Sequence, residues 1–240
     1  MLDKAFGDYS MRTVFDRLQA FIDKETAGIP SLKVLEAGCG STIYIRFQQK
    51  MHLVGIDISE RQLERNQYLN ERIIGDIQDY TFPPSSFDVI VCVNVMEHLS
   101  EPELALRRFS SAVRTNGLIV LIMPNVLSVK GLITKFLPHR MHQLAYKYLN
   151  SGGSSKGKID IAPFKTYLKF SISPNAIKKF ARELGLETAY FELFDISSTR
   201  WLQQKKYAHI AYRMIRAFFK FVSFNRIDYS EYILVLKKSC

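Results

Sequence analysis

The chain predicts a doubly wound α/β fold with a mostly parallel sheet, and three observations carry that expectation. Short apolar runs alternate with polar, helix-like stretches over the first 124 residues, the rhythm of βαβ units. One run, Phe87–Asn94, is apolar almost throughout and rich in Val and Ile, the pattern of a strand buried on both faces. The first run ends in Gly38-Cys39-Gly40, a bare-backbone turn at the sheet edge where open α/β folds take ligands.

Taken in order, Lys33–Ala37 reads as the first strand and Thr42–Lys50 as the helix after it. Leu53–Asp57 is the second strand. A helix then opens at Ser59, with a capping box in which Ser59 caps and Gln62 reciprocates. Arg72–Asp76, Phe87–Asn94 and Leu118–Met123 make strands three to five. Between the last two, a helix over 102–114 has Pro102 in its first turn and stops at Asn116-Gly117, and Pro124 ends the fifth strand. The rhythm then breaks for a basic, aromatic insertion, 125–172, with a flexible joint at Ser151–Gly157. A helix from Ser173-Pro174 to Gly185, a strand over Leu186–Phe194 and a last strand over Tyr232–Leu236 complete a count of seven strands. Upstream, residues 5–23 form a candidate helix with Phe6, Val14, Phe15, Leu18, Phe21 and Ile22 as its apolar positions.

At 240 residues and 47% apolar, the chain can fill one core without staples. The domain division that follows is a single unit over 1–240: an N-terminal helix over 1–29, a core over 30–124, the insertion over 125–172 and a C-terminal core over 173–240. Three scattered cysteines, Cys39, Cys92 and Cys240, make neither a disulfide framework nor a CxxC site, so a reducing compartment and no structural metal are expected. The start, MLDKAFGDYSMR, lacks a secretory apolar region, and no apolar run is long enough to span a bilayer. A cytoplasmic protein, at most peripheral to a membrane, is the expectation.

The net charge of +10 is unevenly placed: residues 1–124 hold 13 Lys plus Arg against 16 Asp plus Glu, and residues 125–240 hold 20 against 7. The basic half suits an anionic partner, whether an acidic small molecule, a phospholipid surface or a nucleic acid.

The glycine turn narrows the choice of nucleotide. A dinucleotide fingerprint needs G-x-G-x-x-G, and here the third position is Ile43; a P-loop needs Lys-Ser or Lys-Thr after the glycines, which is absent. Together with Val34–Thr42, the stretches Val54–Ser59, Gly75-Asp76-Ile77 and Phe87–Leu99 resemble, in sequence and order, the class I, Rossmann-like S-adenosylmethionine-dependent methyltransferases, and within them the group similar to the ubiquinone-pathway enzymes. The likeness covers residues 30–124 well and the helix after Ser173 more loosely.

That resemblance implies a seven-stranded sheet with the last strand antiparallel, helices on both faces and insertions after strand five and between strands six and seven. It implies S-adenosylmethionine as cofactor and S-adenosylhomocysteine as product. Gly38 and Gly40 let methionyl group and ribose lie close, with Cys39 between them a small filler rather than a nucleophile. Glu36 stands where the family has an acid near the methionyl amino group, often acting through the loop backbone or water. Asp57 would accept from both ribose hydroxyls, Ile58 face the adenine, Asp76 and the Ile77 amide meet the adenine edge, and Asn94 frame the methyl. His98, in Asn94-Val-Met-Glu-His98, is the candidate general base, with packing beneath the site as the competing role. Tyr9, His139, His142, Tyr148 and Tyr167 are candidates for the acceptor site. Residues 1–29 would fold over the cofactor as a lid, with Arg12 either touching ligand or lying on the surface.

On a helical wheel, 201–224 places Lys205, Lys206, His209, Arg213, Arg216 and Lys220 on one side and Tyr207, Ile210, Met214, Phe218 and Phe221 among those on the other. Core packing with a solvated basic face, a dimer contact and an interfacial helix at a membrane surface all fit. Nucleic-acid base methylation is disfavoured, because the Asn/Asp-Pro-Pro-Tyr/Phe signature is missing where Asn94-Val-Met-Glu97 stands. The expected activity is therefore methylation of an oxygen or nitrogen of a small hydrophobic or acidic metabolite by a monomer or homodimer. An RNA methyltransferase and a non-catalytic cofactor- or membrane-binding module are the alternatives.

Overall fold

The structure is a computed structural model that describes residues 3–128, 131–132, 135, 165–195, 214 and 229–239, with residues 3–11 described by backbone only. His139, His142, Tyr148, the side chain of Tyr9 and, apart from Met214, the stretch 201–224 lie outside the described residues.

The sheet has seven strands in the order β3-β2-β1-β4-β5-β7-β6. They are β1 Ser31–Ala37, β2 Lys50–Asp57, β3 Glu71–Ile74, β4 Phe87–Val93, β5 Val113–Pro124, β6 Leu186–Phe194 and β7 Glu231–Lys238. β7 runs antiparallel to both β5 and β6, and the pairs from β3 across to β5 are parallel. The predicted fold class, last strand included, is the observed one. All seven residues of β4 are buried, as its unbroken apolar run requires. The strand order reverses between β1 and β4, so the two strand ends diverge there and leave a crevice.

Alternation along each strand feeds two cores. Leu35, Ile56, Ile90 and Leu121 point to the face covered by α3 (Pro102–Ala112), through Leu106 and Phe109, and by α4 (Pro174–Glu183), through Ile177 and Ala181. Val34, Leu53, Val89 and Val120 point to the other face, covered by α1 (Asp3–Thr26) and α2 (Glu60–Arg65). From α1 come Val14, Leu18 and Ile22, so the helix from Arg12 onward packs as a layer on the sheet. Arg17 to Glu192 and Lys237 to Glu25 pin it to β6 and β7. Leu18 has no exposed surface. Leu18→Ala is expected to lower stability by roughly 2–5 kcal/mol in a urea titration, and an unchanged midpoint would show that α1 is not part of the core.

Two local expectations are corrected. The predicted helix over Thr42–Lys50 does not form: Thr42–Gln49 is an irregular loop, anchored where the Gln19 amide donates to the Arg46 carbonyl and accepts from its N–H, and Lys50 opens β2. Its run of Thr, Ile, Tyr, Ile and Phe has poor helix propensity, and α1 already covers the sheet face on which Ile45 is buried. The capping box at Ser59 also does not form: the Ser59 side chain makes no cap bond, and its N–H, which Gln62 would have accepted, goes instead to Asp57 Oδ1 at 2.8 Å while the Gln62 side chain turns toward Gly40.

Candidate functional site

At the carboxyl ends of the strands, where the order reverses, lies a cavity of about 470 Å³. Gly38, Cys39, Gly40, Asp57, Ile58, Asp76, Ile77, Asn94, His98 and Tyr167 all line it, so ten of the residues singled out in the sequence come together.

The glycine turn forms one wall. Gly38 has φ +71° and Gly40 φ +52°, left-handed conformations that favour glycine, and a Cβ on Gly38 would lie 2.4 Å from a Val95 methyl. The Gly38 and Cys39 N–H groups donate to the Ile56 carbonyl, and Gly40 N–H donates to Asp57 Oδ2 at 2.9 Å. Asp57 thus closes the turn onto β2, each of its oxygens already accepting one backbone N–H and keeping a second lone pair. Asn66, fully buried, braces the turn from behind by donating to the Gly40 and Thr42 carbonyls, each at 3.3 Å. Burial, with the charges of Asp57 and Glu36 adding to it, pushes the Cys39 thiol up to about 12, which suits a filler rather than a nucleophile.

Asp76 sits two residues beyond β3, its carboxylate accepting from the Gln78 backbone and side-chain amides while Gln78 Oε1 accepts from the Ser100 hydroxyl and Glu101 N–H. Ile58 is 59% exposed on the cavity rim. Asn94 follows β4 with φ +53° and donates its N–H to the Ile122 carbonyl.

Glu36 lies beneath the glycine turn. It does not line the cavity; it shares a strand face with Leu32 and Val34, is 3% exposed, and its Oε1 has no hydrogen-bond partner among the described residues. The two-residue period of β1 directs it under the loop rather than into the site. Burial raises its carboxyl from 4.5 to about 8. A raised acid is neutral in the fold and ionises more readily unfolded. Its stabilisation is therefore complete below pH 4.5 and lost as pH rises toward about 8, at about 1.4 kcal/mol per pH unit. Glu36→Gln is expected to flatten that slope in denaturant titrations of the free protein; equal slopes in both would refute the buried neutral acid.

His98 ends a 3₁₀ turn, Met96–His98, after β4. Its Nδ1 lies 3.0 Å from the Lys165 carbonyl, so the ring donates there and carries its lone pair on Nε2, which is 4.0 Å from Glu97 Oε1. Burial lowers the His98 pKa below 6.5, partly offset by the bond to the Lys165 carbonyl, which favours the charged ring.

The backbone of 165–168 crosses this turn as a strap. Tyr167 N–H and Leu168 N–H both donate to the Glu97 carbonyl, at 2.9 and 3.0 Å. Alternation along the strap sends Lys165 and Tyr167 into the main cavity, and Thr166 and Leu168 into a second one of about 160 Å³ that His98 also borders. Lys165, Gln78 and Asn66 were not foreseen. Nothing in the local sequence marks Lys165 or Asn66, whose partners are distant in the chain, and Gln78 bridges Asp76, two residues before it, to Ser100 and Glu101.

The wall chemistry fits a phosphate-free nucleoside cofactor. Two carboxylates and an exposed Ile58 line it, the glycine cradle excludes a Cβ, and Lys165 is the one Lys or Arg among the described lining residues. No helix among the described residues is long and apolar enough to cross a membrane.

Comparison with known proteins agrees with this architecture. The family described as a methyltransferase domain matches residues 6–226. An uncharacterized protein of Methanocaldococcus jannaschii is 22% identical over 51% of this chain and 53% of its own length, so the chain spans about half of that relative. A ubiquinone biosynthesis O-methyltransferase of Aromatoleum aromaticum is 25% identical over 70% of this chain and 69% of its own. Among solved structures, a SAM-dependent methyltransferase from Archaeoglobus fulgidus superposes with a TM-score of 0.53 at 18% identity, covering 99% of this chain and 98% of that one. Motif order, strand order and the family match converge: the chain belongs to the methyltransferase-domain family, of the class I, S-adenosylmethionine-dependent type.

Proposed function

We propose that the protein transfers a methyl group to an oxygen or nitrogen of a small metabolite, with His98 as general base. The observation that carries this reading is that the glycine cradle, Asp57, Asp76 and His98 share one cavity at the strand-order reversal. The naming of the Aromatoleum relative as an O-methyltransferase favours a hydroxyl acceptor.

When bound, S-adenosylmethionine supplies a methyl carbon activated by a sulfonium. Gly38 and Gly40 would admit its methionyl and ribose portions to the backbone, Asp57 would accept from the ribose hydroxyls through its remaining lone pairs, and Ile58, Ile77 and Asp76 would take the adenine. Glu36 acts from beneath the loop, as a buried acid near the methionyl end. Asn94 and Val95 shape the wall beside the acceptor. His98 Nε2 would take the proton that the acceptor oxygen or nitrogen gives up, a role its lowered pKa serves by keeping the ring neutral near pH 7. The remaining contribution is alignment in a site shielded from water.

Labelled-methyl transfer from S-adenosylmethionine into a metabolite extract, with the product identified by mass spectrometry, tests the proposal. A labelled small molecule is expected. Label recovered in RNA, or calorimetric failure to bind S-adenosylhomocysteine, would overturn it.

A further inference from the structure

Lys165 enters the main cavity on the strap that packs against His98, and its ammonium has no carboxylate within ion-pair distance among the described residues. Among the described residues its partner is the Tyr167 ring, whose centroid is 4.5 Å from Nζ. An exposed cation–π contact of this kind is weak. A charge-assisted hydrogen bond to an anion is stronger, so an incoming anion would displace the ring. Released, the Tyr167 face offers a flat apolar surface beside the cation.

The strap is fixed in place. Two N–H groups converge on the Glu97 carbonyl, Leu168 is buried, and its carbonyl accepts from Lys135 Nζ at 2.9 Å. Leu168 holds φ +43°, an uncommon conformation for a branched-chain residue that these contacts maintain. The arrangement presents Lys165 and Tyr167 on the same wall as His98 without further ordering, which is the preorganisation a binding site needs. The other charged groups on the described wall, Asp57 and Asp76, repel an anion, so one entering the cavity is drawn to Lys165.

We propose that Lys165 and Tyr167 form an acceptor subsite for a small organic anion, a carboxylate head group on a flat unsaturated body, seated with its nucleophilic oxygen or nitrogen toward His98. This rests on the methyl-transfer reading and names its substrate class.

The test is titration of benzoate, phenyl phosphate and neutral benzamide into the protein, with and without saturating S-adenosylhomocysteine, following the Lys165 ammonium by ¹⁵N NMR. Benzoate is expected to bind with a saturable Lys165 shift and benzamide not to compete with it. Lys165→Gln is expected to weaken benzoate at least tenfold and Lys165→Arg to restore it, with S-adenosylhomocysteine affinity unchanged in both. Tighter phenyl phosphate binding, equally dependent on Lys165, would keep the anion subsite and overturn the carboxylate assignment. Absence of benzoate and phenyl phosphate binding, or binding indifferent to Lys165→Gln, overturns the subsite. A parallel loss of S-adenosylhomocysteine affinity would overturn it too, by assigning Lys165 to the cofactor. If wild type fails to bind S-adenosylhomocysteine, the methyl-transfer reading falls, and the titration of the free chain still decides the subsite.

Discussion

Asp57→Ala is expected to abolish S-adenosylhomocysteine binding in calorimetry, with affinity falling about 100-fold or more. Two charge-assisted hydrogen bonds to ribose hydroxyls, at about 1.5–3 kcal/mol each, account for that much alone. The loss is compounded because the same carboxylate holds the Gly40 and Ser59 N–H groups and so keeps the glycine turn in its left-handed course. Asp57→Asn separates the two roles. One amide oxygen can still accept from a backbone N–H, so the fold is expected to persist by circular dichroism while ribose recognition is halved. Binding unchanged in both variants would remove Asp57 from the site.

His98→Gln is expected to lower kcat by about 10²- to 10⁴-fold while leaving S-adenosylhomocysteine affinity intact, the signature of a residue needed for proton transfer rather than cofactor capture. The pH profile carries the sharper reading. Burial holds the imidazole below its usual 6.5, so wild-type kcat stays level through neutral pH and falls only as acid protonates Nε2 below that value. That acid limb should vanish in the variant. An unchanged kcat, or an acid limb that survives the substitution, would return His98 to the packing role beneath the site.

Much of this was legible because strand burial and turn chemistry are local properties. The unbroken apolar run Phe87–Val93 could only be a doubly buried strand, and Gly38 and Gly40 occupy positive-φ positions that branched residues avoid. The spacing of Asp57, Asp76 and Asn94 after successive apolar runs brought them to one edge, since parallel strands all end on the same side of the sheet. Helix placement was less legible. Thr42–Lys50 has the length for a helix, but its β-branched and aromatic residues and the occupation of that face by α1 leave 42–49 a loop.

The sequence by itself determined the strand series, the phosphate-free glycine turn and the acids at the strand ends, because each depends on residue identity within a few positions. Only the tertiary structure decided that Glu36 is sealed beneath the turn, that Asn66 and Gln78 brace the site, and that Lys165 and Tyr167 cross to His98 from 67 and 69 residues away. Those placements follow from which strand faces meet which helices and from backbone groups that must find partners once buried.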